Sequence, residues 1–222
     1  MKKNNFLINF LPNLLIFLFA TAVFSAYYID PDLGWHIALG RDFLGGNFSF
    51  LDKYSFTMPN YYWVSSYFLY EVFVATLFEN ISFIFIPIIF ALVGSFAVLV
   101  NIPKKLSFVS LPALALGVMI TRTNLGVRPH NFSFLFFSIL IFLLNRRLYK
   151  NFWHYGLWFL LFLIWSNVHR AFIFGFVFVF LYFVLEILTR QKEKRKSLVL
   201  YGLLTLFFGG LATLINPSFL NI

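Results

Sequence analysis

The sequence predicts an all-α integral membrane protein with about seven transmembrane helices and a long first outer loop that holds short interfacial helices. Three observations predict it. Apolar residues make up 61% of the chain, aromatics 23% and charged residues 11%, and mean hydropathy is +0.85. That leaves too little polar surface to coat a soluble globule of 222 residues. The apolar residues fall in runs near the length of a membrane span. The charged ones stand between those runs as short clusters and not as a stripe, so the formal net charge of +9 reports topology and not a nucleic-acid surface. Cysteine is absent, which excludes disulfides, a thiol nucleophile and a thiolate metal site.

The first apolar run covers residues 6–28, with Pro12 near its start. It is longer than the ~7–15 apolar residues of a signal peptide, and Phe24 stands where cleavage after Ala26 wants a small residue, so an uncleaved first helix is expected. A polar and aromatic outer loop follows over residues 29–80. Long loops without a domain of their own are usually functional. Within it, Trp35, His36, Leu39 and Phe43 repeat at three and four, which predicts a short interfacial helix ended by Gly45-Gly46. Residues 64–78 read as a second interfacial or half-inserted helix, carrying a lone Glu71. The remaining runs are 81–100, 106–120, 132–144, 153–166, 171–188 and 198–215. The run 106–120 sits at the short limit of the ~17–25 residues of a span. Trp63, Trp153 and Trp158 are expected as belt or lipid-facing residues, and Glu186 as the i,i+4 partner of Arg190.

With the N-terminus on the cytoplasmic side of a cell membrane, Lys2, Lys3, Lys104, Lys105, Arg146, Arg147, Lys150 and the basic residues of 190–196 all fall inside. Of the 17 lysines and arginines, only Arg41, Lys53, Arg122, Arg128 and Arg170 fall outside. This is the bias of the positive-inside rule. The same alternation gathers the acidic loop, residues 122–130, Asn167 to Arg170 and Asn216-Pro217 on the outer face, where chemistry is therefore expected. Span centres carry no ionisable residue, which argues against an ion-coupled transporter. There is no Gly-rich phosphate loop, Walker motif or Ser-His-Asp order.

The chemistry-bearing stretch is Asp30-Pro31-Asp32-Leu33-Gly34-Trp35-His36. Asp32 and His36 are four apart and share a helix face, while both aspartates also suit a turn and helix cap. Arg128, before Pro129 and His130, reads either as a headgroup anchor or as a guanidinium placed for a lipid phosphate. Arg122 and Arg170 are weaker cases of the same kind. His169 suits the end of the fifth helix. Glu71 is either a buried partner for an outer arginine or an exposed interfacial acid. Two histidines and several carboxylates on one face suggest a divalent metal, although no HxxxH spacing exists.

In order, Asp32, His36, Gly40, Arg41 and Asp42 resemble the first outer loop of GT-C fold glycosyltransferases, the group that includes protein mannosyltransferases and lipid A aminoarabinose transferases. There, an acid pair is followed by an aromatic or His, a small residue, Arg and an acid. Leu33 departs from the second acid, and Asp30 stands in from the other side. A closer similarity is to bacterial and archaeal multi-pass proteins related to these enzymes. Its motifs are Asp30 to His36, Asp52 to Thr57, Trp63-Val64, Arg128-Pro129, Trp165 to His169 and Asn216-Pro217. Arg170 replaces the usual glycine after His169. Family members run on past seven helices, so a C-terminally truncated GT-C-like module is the expectation.

The resemblance implies a sugar transferred from a polyprenyl-phosphate donor to a hydroxyl acceptor on the outer face. It implies Asp32 as base, Asp30 as its helper or a divalent-metal ligand, His36 orienting Asp32, and Arg128 gripping phosphate. Arg122, His169, Asn167, Trp35 and Glu71 would stand on the substrate side. The expected partners are the lipid-linked sugar and membrane lipid, and no nucleic acid. The competing reading is a non-catalytic membrane subunit or lipid-linked glycan binder of the same fold.

Overall fold

The computed structural model describes residues 4–25, 30–58, 60–62, 66–102 and 106–217. The motif Trp63-Val64 and the lysines Lys2, Lys3, Lys104 and Lys105 lie outside the described residues. Among those described, the chain is helical, with one isolated antiparallel bridge between Leu51 and Tyr62. The helices are α1 (Asn4–Phe24), α2 (Leu33–Leu44), α3 (Phe68–Asn80), α4 (Ile86–Val100), α5 (Leu111–Thr121), α6 (His130–Asn145), α7 (His154–Val168), α8 (Phe172–Thr189) and α9 (Lys192–Thr213). Single turns of 3-10 helix precede α4 and α5 and follow α5.

Local chemistry explains most of the boundaries. Pro87 and Pro112 sit in the first turns of α4 and α5, where a missing N–H costs nothing. α2 stops at Gly45, as the Gly-Gly pair predicts. α9 starts at Lys192, six positions before the apolar run beginning at residue 198. Its first turns, Lys192 to Ser197, are largely lysine, arginine and glutamate, which are good helix formers in water, so the helix continues beyond its greasy part.

Among the described residues, three segments are long and apolar enough to cross a membrane: Phe83–Val100, Phe172–Thr189 and Lys192–Thr213. The other apolar helices are shorter; α6 and α7 have 16 and 15 residues, and at 1.5 Å per residue they fall short of a ~30 Å hydrocarbon core on their own. Large apolar side chains cover the outside of the bundle. Along α8, Ile173, Phe174, Val177, Phe180, Leu181, Leu185 and Leu188 are all exposed, which suits a lipid solvent and not water.

Two packed clusters hold the fold. Ile16, Ala20 and Phe24 of α1 meet Ala91 of α4 and Val118 of α5. Thr21 adds a hydrogen bond to Ser95 across α1 and α4, 3.0 Å long. The larger cluster joins α2, α3, α4, α6, α7, α8 and α9 around Tyr70, Phe90, Leu140, Trp158, Phe162 and Trp165. α8 approaches α7 at Gly175, where a Cβ would lie 2.7 Å from the Trp165 ring; small residues at such crossings let helices close without a hydrophobic drive between them. Trp158, expected at the lipid surface, is instead fully buried and donates its indole N–H to the Leu148 carbonyl at 2.7 Å. Trp153 is exposed, as expected.

Candidate functional site

The polar turns converge at one end of the bundle. Asp30, before α2, meets Arg128, before α6: Asp30 Oδ2 lies 2.7 Å from Arg128 Nε. The ring of His130, at the start of α6, is 4.5 Å from that of His169, at the end of α7. Asn216, after α9, donates to the Ser166 carbonyl. The opposite end carries Arg146, Arg147, Lys150 and Arg190.

α2 presents its first two turns to this polar end. Asp32 is its N-cap residue, but its side chain makes no capping hydrogen bond. Asp30 instead accepts from the Asp32 N–H at 3.1 Å and so shapes the turn. The Asp32 carboxylate is exposed and has no hydrogen-bond or ion-pair partner among the described residues. It lines a cleft of about 200 Å³ together with Trp35, His36, Leu39, Tyr67 and Arg170. The Arg170 guanidinium lies over the Tyr67 ring, 5.5 Å from its centroid, and its Nε donates to Ser66 Oγ. Burial pushes the Tyr67 phenol up despite that arginine, so it remains a proton donor.

His36 is turned by a different neighbour than sequence spacing suggests. Its Nδ1 lies 3.3 Å from Glu71 Oε1, and the Glu71 side chain is 0% exposed. The imidazole also packs edge-on against Tyr70, at 4.9 Å between centroids. Glu71 is thus a buried acid, and the ring it faces is a histidine. Tyr70 donates to the Val127 carbonyl at 3.2 Å, which ties α3 to the turn bearing Arg128.

His169 stands behind the cleft. Trp165 Nε1 donates to Ser133 Oγ at 2.8 Å. The same Ser133 Oγ is hydrogen-bonded to His169 Nδ1 at 2.6 Å, with the donor set by the tautomer of the ring. Burial first, then the neighbouring His130, His36 and Arg170, push the imidazole down to about 3. His169 is therefore neutral in the fold, while in the unfolded chain it titrates near 6.5. The unfolded state binds more protons between those values, so stability is complete above the window and falls as pH drops through it, by up to about 1.4 kcal/mol per unit. Wild-type protein in detergent is expected to melt lower at about pH 5.5 than at about pH 7.5, and His169→Gln is expected to flatten that difference. Parallel pH profiles for the two proteins would show that the buried neutral imidazole does not set the pH dependence.

Of the other residues singled out by sequence, Trp35 is at the cleft, half open to solvent. Asn167 is not: its amide is buried and donates to the Leu163 and Ile215 carbonyls, 2.8 Å each, joining α7 to the end of α9. Arg122 is exposed on the 3-10 turn after α5 and does not line the cleft. Among the described residues no three His, Asp or Glu side chains gather, and the Asp30 carboxylate faces Arg128. Arg170, named from sequence as a weaker candidate than Arg128, lines the cleft, and so does Tyr67, which no sequence signal singled out. Comparison of the chain with protein-family models, with curated proteins and with solved structures finds no match.

Proposed function

We propose that the chain is a GT-C-like membrane glycosyltransferase module that moves a sugar from a polyprenyl-phosphate donor to a hydroxyl acceptor. In this reading seven helices, α1 and α4 to α9, cross a cell membrane. The N-terminus is cytoplasmic, and α2 and α3 lie in the outer interface. The shorter helices borrow flanking residues or meet a locally thinned bilayer. The excess of lysine and arginine at the far end of the bundle supports that orientation.

The observation that carries the reading is the partnerless Asp32 carboxylate in a cleft whose far side holds Arg170. Polyprenyl phosphate leaves as a stable anion and needs no protonation. The acceptor oxygen attacks the anomeric carbon and its proton passes to Asp32. The bond from that carbon to the phosphate oxygen breaks, and its electron pair departs with the phosphate. Arg170 faces the charge that develops. Trp35 offers an aromatic face to the sugar. The Asp30–Arg128 pair fixes the turn that aims Asp32, and Arg128 adds positive potential beside it. The mechanism needs no metal ion.

One observation favours the second reading, a binder without turnover: Arg128 and His36 are each already matched by an acid, as structural groups would be. The full chain, reconstituted in vesicles containing radiolabelled polyprenyl-phosphate sugars, separates the two. Release of polyprenyl phosphate with label appearing on an added glycan or lipid acceptor is expected. Saturable binding of the labelled lipid with no release across a panel of acceptors would overturn transfer in favour of the binder.

A further inference from the structure

A second cleft, of about 250 Å³, opens at the opposite end of the bundle, between the α6–α7 turn, the end of α8 and the start of α9. Its walls carry Arg147, Lys150, Arg190 and Lys194, with Tyr149 and Tyr201 between them. Two acids also line it. Glu186 is occupied, holding Arg190 through contacts of 3.0 and 3.2 Å, as their spacing of four predicts. Glu193 remains, so the lining keeps a positive excess.

Three of the four cations are unspent. The side chains of Arg147, Lys150 and Lys194 make no ion pair or hydrogen bond among the described residues, nor does the Tyr201 hydroxyl. By contrast Arg190 is fixed from two sides, since Arg195 Nε donates to its carbonyl at 3.1 Å. The backbone at Arg147 is left-handed, with φ of 53°, at the helix-ending position that glycine fills most cheaply. An arginine there projects its charge from a turn closed by the Leu148 N–H on the Leu143 carbonyl.

The surroundings select the ligand. Leu185 and Leu188 on α8, and Leu200 and Leu203 on α9, are exposed on turns adjoining the cleft. The cavity therefore sits where an apolar lateral surface gives way to a charged end, the depth at which lipid headgroups lie. We infer that this cleft binds the phosphate headgroup of an anionic phospholipid in the leaflet at the basic end of the bundle. Arg147, Lys150 and Lys194 contact the phosphate oxygens and Tyr201 donates a hydrogen bond. The inference rests on membrane insertion and not on sugar transfer.

Cations on this side also serve topology, so the test must match charge for charge. The full chain in neutral detergent is titrated with phosphatidylglycerol, phosphatidylcholine or inorganic phosphate, and binding is read by native mass spectrometry and by thermal shift. Phosphatidylglycerol is expected to bind and raise the melting temperature, with phosphatidylcholine and millimolar phosphate ineffective. The variant Arg147→Gln/Lys150→Gln/Lys194→Gln is expected to weaken that binding by about tenfold or more. The equally charged control Arg146→Gln/Lys192→Gln/Lys196→Gln is expected to change it less than about twofold. Tyr201→Phe, which keeps the ring, gives a single-atom version and a several-fold loss if the triple variant does not fold. Equal losses in the two triple variants, or no preference for the anionic lipid, would overturn the site. Protection by inorganic phosphate alone would replace the lipid with a soluble phosphate.

Discussion

Asp32→Asn is expected to lower sugar transfer by about a hundredfold or more while leaving the melting temperature within a degree or two of wild type. A positioned general base contributes about 10²–10⁴-fold, and asparagine keeps the shape of aspartate while losing the proton acceptor. The two halves of the expectation rest on one fact. The Asp32 carboxylate neither caps α2 nor pairs with a cation, so nothing in the fold depends on its charge. Asp30→Asn is the contrasting case: it removes the partner of Arg128 and alters the turn that presents Asp32, so stability and transfer should fall together. Both variants are assayed in vesicles loaded with labelled donor lipid. Wild-type turnover by Asp32→Asn would sink the base assignment, and a large drop in its melting temperature would show that the carboxylate is structural after all.

Helix positions were legible because apolar runs and their polar interruptions are one-dimensional signals. The runs 81–100, 132–144, 153–166 and 171–188 lie within a few residues of α4 with its 3-10 turn, α6, α7 and α8. Alternation also grouped the right polar turns: Asp30, Arg128, His169 and Asn216 meet at one end though they are far apart in the chain. What alternation lacks is rotation about each helix axis. When both faces of a helix are apolar, its period does not say which face meets lipid and which meets protein, and so Trp158 reads like Trp153 although one is buried and the other exposed.

Partners within the site were less legible for a related reason. Asp32 and His36 share a face of α2, and spacing alone pairs them. α3 packs on that face, however, and brings Glu71 to His36 from 35 positions away. Which arginine enters the cleft is likewise settled by the turn after α7: Arg170 lies over Tyr67 there, whereas Arg122 stays on a separate exposed turn. The one pairing read correctly within the basic loops, Glu186 with Arg190, lies on a single helix where spacing is sufficient.

Gly40→Ala is expected to destabilise the protein by roughly 3 kcal/mol or more, a cost comparable to overpacking and to unpairing a buried acid. A Cβ at position 40 would overlap the Glu71 carbonyl oxygen and lie 2.7 Å from the Ala75 Cβ. Backbone cannot swing aside as a long side chain can, so α2 and α3 must separate by more than about an ångström to restore ordinary contact. That separation acts on the residue that makes the clash. Glu71 carries the buried carboxyl group that lies 3.3 Å from His36, and moving α3 away stretches that contact. Tyr67 and Tyr70 move with α3, so the cleft opens as the packing loosens. Gly34→Ala supplies the matched control: it is in the same helix, a methyl group there would meet nothing within 4 Å, and the alanine should be neutral or slightly stabilising. Thermal melts of the two variants in the same detergent decide the matter. If Gly40→Ala melts with wild type, α2 and α3 are not closely packed and the placement of His36 beside Glu71 fails with them; if only Gly40→Ala is lost, the small residue before Arg41 is there because two backbones meet at it.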